Sequence, residues 1–215
     1  MNFNTLRHGA CTLALLLAGA GASAQPAPLP MNARLEAVLK DAQQLEQYTR
    51  IGQKVAQFCA NCHGAGGNSV SPDTPNLAGQ NPAYLLEQVR QFADGRRRYE
   101  FMERLMRSMS EDEKIGVAVF YARQGVLPHP SGDAALVAEG KRYYDKVCWR
   151  CHGSDGHGTD VYARLAGQRP DYLQTTLLRY RSGTGSRTNA LMSANTRLMS
   201  DADIRAVVAY VSAMR

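Results

Sequence analysis

Apolar residues between positions 33 and 58 fall at Leu35, Val38, Leu39, Leu45, Ile51, Val55 and Phe58, a roughly helical spacing, and residues 134–147 repeat the pattern. Residues 82–93 and 170–181 each open with proline, which the first helical turn accepts because the missing N–H has no partner there anyway, and both continue as helices. Two more helices start at capping serines. Ser110 has Glu113 three residues on, a regular capping box, and Ser200 has Asp203, a shorter version of it. Glycine-rich stretches, 64–79 and 153–167, separate these segments, and no useful length of period-two alternation is present. The pattern predicts an all-α protein.

The helical pattern occurs twice. CANCHG (59–64) matches CWRCHG (148–153) at an offset of 89, and LAGQ (77–80) matches LAGQ (165–168) at an offset of 88. Pro82-Ala83-Tyr84-Leu85 matches Pro170-Asp171-Tyr172-Leu173, and Met109-Ser110 matches Met199-Ser200 at an offset of 90. Anchors that keep their order with so little drift mark an internal duplication. Residues 51–127 and 134–215 form the two domains, and 128–133, with two prolines and a glycine, form a linker. Residues 25–50 precede them as an extension with its own helix, for which packing across the domains is the expected role. Each repeat is small enough that its own apolar core is modest, so a buried cofactor would supply missing volume.

The first 24 residues read as an address. Arg7 is followed by an apolar run from Ala10 to about Ala20 and by Ala22-Ser23-Ala24, the small-x-small pattern of a cleavable secretory signal. The apolar run is about half of a bilayer span. Export to the periplasm is expected, with Gln25 opening the mature chain and Cys11 removed, so four of five cysteines remain. With one short apolar run the chain is no multi-pass membrane protein, and its cysteines are too sparse for a disulfide-built mini-protein. A formal charge of +6 from 25 basic and 19 acidic residues first raises nucleic acid as a partner.

The four cysteines redirect that reading. Each pair stands in Cys-x-x-Cys-His, the c-type haem attachment pattern. On a helix, positions i, i+3 and i+4 share one face. Cys59 and Cys62 therefore reach the two vinyl groups of one haem while His63 turns to its iron. Cys148, Cys151 and His152 do the same for a second haem. A redox dithiol or half a zinc site is the rival reading; the histidine in both copies and the oxidising compartment argue against it. The sixth iron position decides between electron transfer and open-site chemistry. His129 lies in the linker and His157 only five residues after His152. Met102 and Met192 each lie eight residues before the capping serine, whereas Met106 has no counterpart and Met109 and Met199 sit where a residue staples against the first turn. Repeat symmetry thus selects Met102 and Met192 as axial ligands. A ligand imidazole normally donates its other N–H to a carbonyl, and Pro75-Asn76-Leu77 and Ala163-Arg164-Leu165 lie at the right distance along the chain to offer one. Tyr84 and Tyr172 are candidates for the haem pockets. Arg96-Arg97-Arg98 and Arg187 are either propionate partners or a solvated charged face.

Taken together, CxxCHG, LAGQ and Met-x7-Ser, each present twice, resemble class I cytochromes c, and in doubled form the di-haem cytochrome c4 family, over about residues 50–215. The resemblance implies two tandem domains, each wrapping one covalently bound haem c with histidine and methionine ligands, and electrons passing between adjacent haem edges. It assigns the Pro75 carbonyl to His63, with Ala163 as the departure in the second domain. It also implies a crossing of first and last helices at glycine and aromatic residues: Gly140 and Tyr144 against Tyr210, and Gly52 against Phe120, with Ala56 in place of the aromatic. The expected function is a periplasmic electron carrier and not an enzyme. Redox proteins are its expected partners: a quinol-oxidising complex or periplasmic dehydrogenase as donor, a terminal oxidase as acceptor, with peripheral association with membrane complexes and no nucleic acid. The alternative is a haem enzyme, a peroxidase or sulfur-compound dehydrogenase subunit, with one open iron. Two haems bring four propionates, so the +6 less Arg7 and those four charges leaves about +1 for the reduced form, and the nucleic-acid reading lapses.

Overall fold

A computed structural model describes residue 1 and residues 29–130, 133–185, 187 and 189–215. The expected signal segment 1–24 with Cys11, and linker residues 131–132, lie outside the described residues. Among those described, every regular element is helical: α1 (Met31–Lys40), α2 (Ala42–His63), α3 (Pro82–Ala93), α4 (Glu100–Ser108), α5 (Glu111–Ala122), α6 (Ala134–Val147), α7 (Trp149–His152), α8 (Pro170–Ser182), α9 (Ala190–Thr196) and α10 (Asp201–Ala213). Helices α1–α5 build one core, and α6, α8 and α10, with Met199, a second.

The extension divides at Asp41, whose carboxylate accepts the Gln43 and Gln44 N–H groups at 2.8 and 2.9 Å and so caps α2. Residues 42–50 are thus the opening turns of the helix that ends in His63, and only α1 is additional. It packs on the first domain: Leu35 and Val38 are buried in that core beside Leu86, Ile115 and Val119. Arg34 bonds Glu111 at 2.8 Å, Asp112, and the Tyr48 hydroxyl at 3.0 Å, fastening α1 to α5 and α2.

Each domain is organised by one close helix crossing. A Cβ placed on Gly52 of α2 would lie 2.0 Å from the Gly116 carbonyl oxygen of α5 and 2.7 Å from Phe120 Cβ. On Gly140 of α6 it would lie 1.9 Å from the Ala206 carbonyl oxygen of α10 and 2.8 Å from Tyr210 Cβ. Tyr144 is fully buried one turn on, its ring 5.5 Å from that of Tyr210, as the resemblance implied. Both capping boxes form. Ser110 and Glu113 exchange backbone-to-side-chain bonds of 3.2 and 2.8 Å, and Ser200 and Asp203 bonds of 3.1 and 2.8 Å, so the shorter aspartate serves as well as glutamate.

The domains differ in one helix. From Gly52 to Cys59 is seven residues, and α2 runs unbroken to His63; from Gly140 to Cys148 is eight, and the helix stops at Val147 before α7 resumes. Cys148 keeps right-handed helical dihedrals and donates its N–H to the Tyr144 carbonyl at 2.9 Å, so the junction is a local irregularity in a chain that stays helical.

Candidate functional site: two cysteine–histidine centres facing one interface

His63 closes α2 and is only 9% exposed. Its Nδ1 lies 2.9 Å from the Pro75 carbonyl oxygen, so Nδ1–H donates and Nε2 is left as the free nitrogen. His152 closes α7, is 8% exposed, and places Nδ1 2.8 Å from the Ala163 carbonyl oxygen. The acceptor is a main-chain atom, so alanine in place of proline leaves this geometry intact. Burial holds both imidazoles below the ordinary histidine pKa, which keeps them neutral, the form that ligates metal. Cys59, Cys62, Cys148 and Cys151 are free thiols on the same helix ends. Burial pushes the Cys148 thiol up to about 12 and raises that of Cys59, so neither is a reactive thiolate.

The residues around the first centre leave polar groups in need of a partner. The Tyr121 hydroxyl is buried beside the Cys59 thiol, and burial raises its pKa. Arg97 and Arg187 form a half-buried pair at the junction of the domains. Arg97 donates to Tyr172 Oη at 3.3 Å and Gln88 at 2.9 Å; Arg187 donates to Tyr172 Oη at 3.1 Å, to Gln88 at 2.8 Å and to Tyr84 Oη. Tyr84 thus receives the second domain's arginine, and Tyr172 receives the arginines of both domains. Among the described residues no carboxylate pairs with either guanidinium. The neighbouring Arg96 pairs with Asp94 at 2.7 Å and Glu87 at 2.9 Å, and Arg98 with Glu103 at 3.3 Å. Burial would raise the Tyr172 hydroxyl, but Arg187 and Arg97 bring it down to about 8. Two half-buried cations without a carboxylate partner suit the carboxylates of a haem.

Met102 and Met192 are each the third residue of their helices, α4 and α9, and both are half-buried. Met106, Met109 and Met199 are buried at 3, 8 and 5% exposure and fill the cores. His157 lies on the surface with Nδ1 3.1 Å from Asp155 and Nε2 3.1 Å from the Arg215 carbonyl. The linker residue His129 donates its backbone N–H to Ser212 at 2.7 Å.

One pair of residues was not singled out from the sequence. The glutamines of the two LAGQ motifs reach into each other's domain. Gln168 Oε1 accepts the Asn76 N–H at 2.7 Å and its Nε2 donates to the Asn76 carbonyl at 3.0 Å. Gln80 Oε1 accepts the Arg164 N–H at 2.6 Å and its Nε2 donates to the Arg164 carbonyl at 2.9 Å. The only signal in the sequence was that both motifs are identical to the last letter.

Comparison with known proteins places these features. The family model for cytochrome c matches residues 50–113 and 137–215. Cytochrome c4 of Pseudomonas aeruginosa is 33% identical over 177 residues, covering 76% of this chain and 87% of the relative. A thiosulfate dehydrogenase electron acceptor of Thiomonas intermedia is 31% identical over 171 residues, 74% of this chain and 79% of the relative. The crystal structure of reduced recombinant cytochrome c4 from Pseudomonas stutzeri superimposes with a TM-score of 0.71 at 27% identity, over 78% of this chain and 98% of that one.

Proposed function

Since the chain belongs to the cytochrome c family, as a di-haem cytochrome of the c4 type acting in electron transfer, we propose that it is a periplasmic carrier with one histidine and one methionine ligand to each haem iron. The observation that carries the ligand assignment is the matched pair of buried, neutral histidines. Each is locked through Nδ1 to a carbonyl, with a methionine at the same helical position in each domain. Cys59 and Cys62, and Cys148 and Cys151, would hold the cofactors covalently, His63 and His152 would take one axial position, and Met102 and Met192 the other. A bound haem supplies one-electron exchange between Fe(III) and Fe(II). The chain's own work is to fix the imidazoles, keep water from the iron through the packed helices around Gly52 and Gly140, and place a guanidinium pair between the two centres. Neither histidine is available as a proton donor at Nδ1, which suits a site that moves electrons alone.

Residues 1–24 would export the chain, and the Thiomonas relative, a thiosulfate dehydrogenase electron acceptor, supports a dehydrogenase as one class of donor; a quinol-oxidising complex would be another, and a terminal oxidase the acceptor. The test is spectroscopic. The purified protein should show low-spin haem and a near-infrared methionine-to-iron(III) band equivalent to two sites, with a mature chain starting at Gln25. High-spin haem as isolated, or rapid cyanide binding, would overturn the carrier reading.

A further inference from the structure

The carbonyl that holds each histidine and the N–H taken by the opposite domain's glutamine belong to one peptide group. In the first domain the atoms run in series. His63 Nδ1–H donates to the Pro75 carbonyl at 2.9 Å; across that same peptide the Asn76 N–H donates to Gln168 Oε1 at 2.7 Å. In the second, His152 Nδ1–H donates to the Ala163 carbonyl at 2.8 Å, and the Arg164 N–H donates to Gln80 Oε1 at 2.6 Å. Asn76, Gln80 and Gln168 are all buried, at 4, 6 and 7% exposure, so water does not compete for these bonds. Each glutamine also grips the next carbonyl through Nε2, which fixes its amide plane. Asn76 is held further by its own Nδ2 on the Gly167 carbonyl at 2.9 Å and by the Ser69 N–H on its Oδ1 at 2.8 Å.

We infer that Gln168 is a positioning residue for the haem ligated by His63, and Gln80 for the haem ligated by His152: each domain sets the ligand strength of the other's histidine through a relay of two hydrogen bonds and one peptide. The inference rests on the histidines being the axial ligands proposed above. Hydrogen bonds in series polarise one another in a low-dielectric interior. A peptide whose N–H is taken by Oε1 carries more negative charge on its oxygen and draws the Nδ1 proton more strongly. The imidazole then gains imidazolate character, donates more to iron and favours Fe(III), which lowers the potential. Because the relay crosses the interface, the effect is predicted on the haem of the opposite domain. Gln168 also accepts the Arg169 N–H at 2.9 Å and Gln80 the Asn81 N–H at 3.1 Å, so each Oε1 joins the loop of its own domain to the peptide of the other.

The experiment uses the di-haem holoprotein with Gln168→Met and Gln80→Met, which keep side-chain length and remove the amide. The two midpoint potentials are followed separately through the haem methyl NMR signals. Gln168→Met should raise the potential of the His63 haem and leave the other in place; Gln80→Met should do the reverse. Potentials that move together, that move in the substituted domain, that fall, or that do not move overturn the relay, since a merely loosened interface admits water to both haems and lowers both. Should either variant fail to assemble, the wild type decides. In the reduced, diamagnetic protein, scalar couplings through hydrogen bonds should connect His63 Nδ1 to the Pro75 carbonyl carbon and the Asn76 nitrogen to the Gln168 side-chain carbonyl carbon, and their absence overturns the relay. A high-spin wild-type spectrum refutes the axial-ligand assignment itself, whereas a low-spin wild type with unresponsive variants refutes the relay alone.

Discussion

Replacing Gly52 with alanine tests the helix crossing that sets the first haem-attachment helix in place. The added Cβ would sit 2.0 Å from the Gly116 oxygen, 2.4 Å from its carbonyl carbon and 2.7 Å from Phe120 Cβ. The first two are backbone atoms, so no rotamer change relieves the contact and α2 must move off α5 by about 1 Å to reach even a compressed van der Waals distance. Overpacking of this kind costs about 1–3 kcal/mol, here at the upper end, and alanine's better helix propensity returns about 0.5–1 kcal/mol. A net loss of about 2 kcal/mol in a domain of this size lowers Tm by roughly 8–16 °C. Thermal unfolding of the oxidised holoprotein, followed by far-UV circular dichroism and by the near-infrared band, should show a new early step in which half of that band is lost. Gly140→Ala should act likewise on the other half. Gly125→Ala, where a Cβ meets no atom within 4 Å, should leave Tm within a few degrees of wild type. If Gly52→Ala melts with the wild type as a single transition, the crossing is not the constraint described.

Met102→Ala and Met192→Ala should each remove half of the near-infrared band and open one iron to cyanide, while Met106→Ala, at a position 3% exposed, should keep the full band and cost about 2–5 kcal/mol by chemical denaturation. Loss of the band in Met106→Ala instead would reassign the ligand. Arg187→Gln should lower both midpoint potentials in a potentiometric titration, since a positive charge between the centres favours the reduced state; unchanged potentials would place the propionates elsewhere. The Asp203 carboxylate is held below its usual range by the Ser200 hydroxyl and N–H. Its contribution is therefore present above the unfolded value of about 3.9 and is lost as pH falls through the lower folded one. The stability gap between wild type and Asp203→Ala should accordingly be full at pH 7 and narrow as pH falls below about 3.9, and a gap independent of pH would show that the ionised form is not what caps α10.

What could be read from the chain alone was what lies close in sequence or repeats. Cys-x-x-Cys-His, the capping serines and the prolines opening α3 and α8 are local signals with local causes. The duplication carried the rest of the haem assignment. Contacts between the repeats were out of reach, because Gln168 meets Asn76 across 92 positions and nothing near either residue marks the meeting. The arginine run shows a second limit. Three consecutive arginines look alike in sequence, yet the turn after α3 gives Arg96 and Arg98 carboxylates and turns Arg97 inward over the Phe92 ring at 4.3 Å.

The glutamine contacts have the geometry of a handshake in which both partners offer the same hand. Each half presents one patch, the LAGQ loop with the residue before it, to the corresponding patch of the other. That is the signature of an isologous interface, the kind formed by two copies of one protein about a symmetry axis. The present chain is thus built as a tethered homodimer. Residues 128–133 convert an association that would depend on concentration into an intramolecular one, with an effective concentration of order millimolar for a short linker. The tether also guarantees that the pair contains one of each half, so the two copies were free to diverge, one keeping a continuous attachment helix and the other a locally irregular one, without losing the contact that joins them.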